Sequence, residues 1–147
     1  MTPEEKKAAC ELMSTTMQAH VPHNLALGLR VVDYGPHEAW MLLPYAPHLV
    51  GNPATGILHG GAISTLMDAA SGLAIFLRLG RPSGIATLDL RIDWMKPAEA
   101  GRDVIAHTDC YAVTRSVCFV RGTAYIDDET RPIATLAGTF ARKAKRK

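Results

Sequence analysis

The spacing of hydrophobic positions changes along this chain, and each change of period predicts a different element. From Glu4 to Gln18, Ala8, Leu12 and Thr15 or Thr16 fall on one side and charges on the other, which predicts a short amphipathic helix ending before Pro22. Two extended runs follow, Leu29 to Tyr34 and Glu38 to Leu43, flanking Gly35-Pro36-His37 as a hairpin. Pro44 to Leu58 is rich in Pro, Gly and Asn and reads as a long loop, placed where a functional loop would be. From Gly60-Gly61 a proline-free apolar run continues to about Leu79, so a tight turn feeds a long helix. Ile63, Leu66, Ala70, Leu73 and Leu77 form its apolar stripe, while Gly61, Ser64, Thr65, Asp68, Ser71 and Gly72 form a second stripe that is small, polar and carries one acid. Past Gly80 to Gly84 the period drops to two. Ala86, Leu88, Leu90, Ile92 and Trp94 alternate with Thr87, Asp89, Arg91 and Asp93, a strand with one buried and one wet or ligand-facing side. Val104 to Val113, Val117 to Ile126 and Ile133 to Ala141 complete what reads as a four-stranded meander.

A sheet of this size can bury one long helix only by wrapping around it. The predicted fold is therefore α+β, an antiparallel sheet curled about a central helix. Such a sheet leaves one face or edge uncovered, so pairing with a second copy is expected. The chain, 1–147, is read as one domain, with the N-terminal helix at about 4–18 and a solvated basic tail at about 142–147.

Composition narrows the class. With 48% hydrophobic and 20% charged residues, disorder is confined to the ends. A net charge of +2, much of it from the tail, gives no nucleic-acid surface. Cys10, Cys110 and Cys118 are odd in number and lack CxxC spacing, which argues for reduced, buried thiols rather than disulfides or zinc. His20 and His23 flank Pro22, which keeps them off one helical face, so they are read as surface residues. The polar N-terminus precedes no signal-peptide core, and Ser64, Thr65, Asp68, Ser71 and Arg78 interrupt the longest apolar run. A cytoplasmic protein with no membrane partner is the expectation.

The chemistry concentrates where the long helix begins. Its first turn presents unpaired N–H groups and a positive dipole end, and glycine there lets a ligand carbonyl approach. An ester or thioester oxygen held by the Gly60 amide would be stabilised as an oxyanion. Asp68 is the only acid on the helix and could activate water or attack directly. Along a helix, however, Gly60 and Asp68 stand roughly 12 Å apart, too far to act on one carbonyl from one chain. Two helices packed antiparallel about a two-fold axis would bring Gly60 of one subunit to Asp68 of the other, so catalysis here predicts a dimer.

These residues carry a resemblance. Asn52-Pro53-Ala54-Thr55-Gly56 leading into His59-Gly60-Gly61, Asp68 nine residues after His59, and Thr87 to Ala98 make the chain from about Leu27 to Arg142 resemble a hotdog-fold acyl-CoA thioesterase of the PaaI-like, phenylacetate-pathway family. The resemblance implies that Gly60 gives its backbone N–H to the thioester oxygen with His59 fixing the turn, and that Asn52 helps to hold the carbonyl or the water. It implies that Asp68 of the partner subunit is base or nucleophile, and that Thr87 orients the water. Asn52 lies seven residues before His59, where several relatives have six. Gly61 and Thr65 are candidate substrate contacts, and Lys96 and Arg115 candidate contacts to coenzyme A phosphates on an otherwise solvated surface. No metal and no bound cofactor are implied, since coenzyme A arrives with the substrate, and the partners are a homodimer or homotetramer. Trp40, Ile75, Ala86 and Leu88 are candidate acyl-pocket residues. A non-catalytic acyl-CoA binding or sensing protein is the alternative function. A hydratase is a third, against which His59 in its HGG setting argues.

Overall fold

The computed structural model describes residues 1–143 of the chain, so Ala144 to Lys147 of the predicted basic tail lie outside the described residues. Helix α1 spans Pro3–His20 and starts where Thr-Pro-Glu-Glu dictates: Thr2 Oγ1 accepts from the Glu5 N–H at 3.1 Å, Glu5 Oε2 accepts from the Thr2 N–H at 2.7 Å, and Pro3 occupies the first turn. A short helix α2, Pro22–Leu27, follows without a break in the chain, and periodicity gave no sign of it. The hairpin of β1 (Arg30–Tyr34) and β2 (Glu38–Leu43) lies where the sequence places it. The long loop is partly ordered as a 3-10 turn, Pro47–Leu49, and a small ribbon of β3 (Val50–Asn52) and β4 (Ile57–Leu58).

Helix α3, Gly60–Leu79, is the long predicted one, and Gly80 ends it in the left-handed region at φ 69°. Ile63, Leu66, Ala70 and Leu73 of the apolar stripe are buried, joined by Met67, Ala74 and Ile75. Each fully buried Leu, Ile or Met contributes about 1.5–3 kcal/mol, so this packing, rather than helix propensity, holds α3 in place. By length and composition α3 could cross a membrane, yet half of it is buried against the sheet of its own chain. Ser71 is a correction to the polar stripe: it is fully buried and its Oγ donates to the Met67 carbonyl at 2.8 Å, so it belongs to the core.

Strands β5 (Ile85–Trp94), β6 (Val104–Val113), β7 (Val117–Tyr125) and β8 (Ala134–Arg142) join β1 and β2 in one antiparallel sheet ordered β1-β2-β6-β7-β8-β5. The predicted meander is corrected here, because β5 pairs with β8 rather than with β6. That exchange leaves β1 and β5 as the two edges. The sheet curls around α3, the predicted hotdog architecture. All three cysteines are free and buried, and burial pushes the Cys110 thiol up to about 11.

Candidate functional site

The turn into α3 is built by His59. Its N–H donates to the Leu49 carbonyl at 2.8 Å, and its ring Nδ1 accepts from the Gly61 N–H at 2.8 Å as the helix cap. A nitrogen that accepts is unprotonated, which leaves the proton of the neutral ring on Nε2. Two glycines are needed for different reasons. A Cβ on Gly61 would stand 2.8 Å from His59 Nδ1 and break the cap, whereas a Cβ on Gly60 would meet only Trp94 Cζ2 at 3.4 Å and Cη2 at 3.6 Å. Among the described residues no acceptor takes the Gly60 N–H, so the donor predicted to face a carbonyl is open.

Asp68 lies on the side of α3 turned away from the core, and Thr87 Oγ1 donates to its Oδ1 at 2.9 Å. Thr87 therefore holds the acid, and Oδ2 accepts no hydrogen bond among the described residues. A bulge brings this contact about. The β5–β8 register shifts between Thr87 and Asp89, so Leu88 is the extra residue and the two halves of β5 have opposite alternation. Thr87 pairs with Phe140, while Leu90, Ile92 and Trp94 pair with Gly138, Leu136 and Ala134, all on the face toward α3. Uninterrupted alternation had set Thr87 with Asp89, Arg91 and Asp93 on the opposite face, and the bulge corrects it.

The remaining candidates divide by position. Asn52 Oδ1 accepts from the Ala54 N–H at 3.0 Å, so its carbonyl shapes the loop and only its amide nitrogen is free to donate. Thr65 Oγ1 donates to the Gly61 carbonyl at 2.9 Å and lies 3.4 Å from His23 Nε2, which places His23 beside the outward face of α3. Lys96 follows Trp94 by two residues, its N–H bonded to the Ile133 carbonyl, at the Gly60 end of β5. Arg115 sits in the β6–β7 turn, where Arg142 donates to the Ser116 carbonyl, and within one chain this sheet end is the far one from Gly60. Of the pocket candidates, Trp40 and Ala86 face the outside of the sheet, Trp40 stacked on His107 at 4.0 Å; Ile75 is fully buried, and Leu88 is bulged outward at 60% exposure. Trp94 was missed, although its place in the row Leu90-Ile92-Trp94 was a usable signal. Nothing local to His23 signalled its contact.

One helix thus carries both candidate groups: an open amide in the first turn and an oriented carboxylate two turns on. Residues 55–133 match the family model described as Thioesterase superfamily. The chain is 34% identical over 108 residues to the medium/long-chain acyl-CoA thioesterase YigI of Salmonella typhimurium, covering 64% of this chain and 69% of that protein. A crystal structure of a Pseudomonas aeruginosa protein superposes with TM-score 0.80 at 42% identity, covering 88% of this chain and 96% of the other. A mutant of the phenylacetic acid degradation protein PaaI from Thermus thermophilus superposes with TM-score 0.72 at 27% identity, over 84% of this chain and all of that one. The open amide, the oriented acid and these likenesses agree, and the chain belongs to the thioesterase superfamily, as a hotdog-fold, PaaI-like member of this family of thioester hydrolases.

Proposed function

We propose that the protein is an acyl-CoA thioesterase, acting as a homodimer in which each site takes Gly60 from one subunit and Asp68 from the other. The observation that carries this is the Gly60 N–H, without an acceptor among the described residues at a capped helix start, with an oriented carboxylate roughly 12 Å along the same helix, a separation that favours supply of the acid from a second subunit. Water attacks the carbonyl carbon and gives its proton to Asp68, while the oxyanion forms on the Gly60 N–H. The C–S bond then breaks and the coenzyme A thiolate takes that proton back, leaving a free acid and a thiol. Thr87 keeps Oδ1 of Asp68 occupied so that Oδ2 faces the water. Asn52 contributes its free amide nitrogen, and Lys96 reaches toward the phosphates. The chemistry uses protein groups alone, with no metal or bound cofactor.

Gly60→Pro tests the reading. Proline is welcome at the first helical position, the extended His59 (φ −61°, ψ 133°) suits a residue before proline, and the change removes the N–H in question. Thiol release should fall on the order of 10²–10³-fold with thermal stability kept. Unchanged turnover would overturn the oxyanion role, and acyl-CoA binding without turnover in the wild type would favour the sensing alternative.

A further inference from the structure

Trp94 is the large side chain beside Gly60, its six-membered ring filling the space 3.4–3.6 Å from where a Cβ would stand, so a carbonyl received by the Gly60 N–H arrives next to the indole. Trp94 is 49% exposed, whereas the protein's other tryptophan, Trp40, is stacked on His107 on the far side of the sheet. The strand is also polarised about it. In one direction the same face carries Ile92 and Leu90, both half-buried, leading toward Thr87 and Asp68; in the other, two residues on, stands the exposed cation Lys96. An acyl-CoA lying across Gly60 has one apolar and one anionic end, and the strand offers a matching surface in each direction.

We propose that the α3-facing row of β5, with Trp94 first and Ile92 and Leu90 behind it, is the wall that selects the acyl group, and that Trp94 is its specificity-determining residue. This rests on the reading of Gly60 as the carbonyl-binding amide. The indole covers the first carbons of the acyl chain beside the carbonyl, and Ile92 and Leu90 meet those further along. Trp94 therefore separates acyl substituents from acetyl, while Ile92 affects only the longer chains.

The test compares wild type, Trp94→Ala, Trp94→Phe and Ile92→Ala on straight-chain and aromatic acyl thioesters, each offered both as coenzyme A and as N-acetylcysteamine esters. Trp94→Ala should lower kcat/KM for the preferred acyl group at least roughly tenfold more than for acetyl, with the same ratio for both thiol carriers, and Trp94→Phe should restore most of it. Ile92→Ala should affect only the longer chains. A uniform loss across all acyl groups would overturn the proposal. If that loss vanished with N-acetylcysteamine, the indole would serve the coenzyme arm; if it tracked a change of assembly in sizing, the indole would be a subunit contact. A second arm needs no turnover. With Trp40→Phe leaving Trp94 as the sole tryptophan, non-hydrolysable acyl-CoA thioethers should shift its emission increasingly with acyl length, and coenzyme A alone should not. An emission indifferent to the acyl group overturns the wall. A wild type that releases no thiol from any ester removes the hydrolytic reading while leaving this arm to decide the wall.

Discussion

The two edges of the sheet are finished in opposite ways. At β1, helix α1 lies along the edge: Ser14 Oγ accepts from the Val31 N–H at 2.8 Å, Gln18 Nε2 donates to the Leu29 carbonyl at 2.8 Å, and Lys6 forms an ion pair with Asp33. Side chains of the same polypeptide thus occupy backbone groups that an open edge would show to another molecule. At β5 the edge runs ten residues, and Leu88, Trp94 and Met95 are 60%, 49% and 62% exposed along or just beyond it. The covered edge supports stability and the bare edge carries the proposed chemistry, because Thr87 with Asp68, and Trp94 with Gly60, all belong to β5 and the helix beside it.

The sharpest way to test this contrast is at the acid. Asp68→Ala should lower thioester turnover on the order of 10²–10⁴-fold while circular dichroism and sizing stay as in wild type; retained turnover would detach the chemistry from the β5 side. Next in size is an attack on the bare edge itself. Leu88→Lys places a charge on the bulged residue and, in the proposed dimer whose sites each take Asp68 from the other subunit, should shift the protein toward monomer with at least tenfold lower activity that recovers as protein concentration rises. Activity independent of concentration in a monomeric variant would overturn the shared site.

At the covered edge the effects should be on stability alone. Ser14→Ala leaves the Val31 N–H without its partner and should cost about 1–3 kcal/mol in denaturant unfolding, with kcat unchanged at temperatures where the protein is folded. The smallest effect concerns acid. Lys6 holds the Asp33 carboxylate below its ordinary value, so the pair's contribution is complete above the ordinary carboxylate range and is lost as pH falls through and below it. Hydrogen exchange of the first turns of α1 should therefore quicken below about pH 4, a change that Asp33→Asn should abolish.

Much of this was legible in the chain because it is local. The apolar period of α3, the hairpin and the strand limits follow from residues within a turn or a pleat of each other, and His59 capping a glycine-opened helix is a three-residue event. Thr87 could be proposed as a site residue, orienting the water, only by resemblance. The alternation of β5 grouped it with Asp89, Arg91 and Asp93, and its contact with Asp68 comes from the Leu88 bulge that reverses the strand's facing. Ser71 looked like a polar stripe residue because its composition says polar, whereas its hydroxyl is satisfied by its own helix and can be buried.

The sequence by itself determined the two long helices and the six strands of the main sheet, though not α2 or the β3–β4 ribbon. It also determined that one helix would be enclosed, and that an amide and an acid would lie two turns apart upon it. Tertiary structure alone decided that β5 would join β8 rather than β6, leaving it as a bare edge, that a bulge would carry Thr87 to Asp68, and that Trp94 would settle on Gly60. The physical reason is range. Periodicity reports which face of an element is apolar, but strand order, register and the contact between residues 60 and 94 are fixed by packing partners far away in the chain.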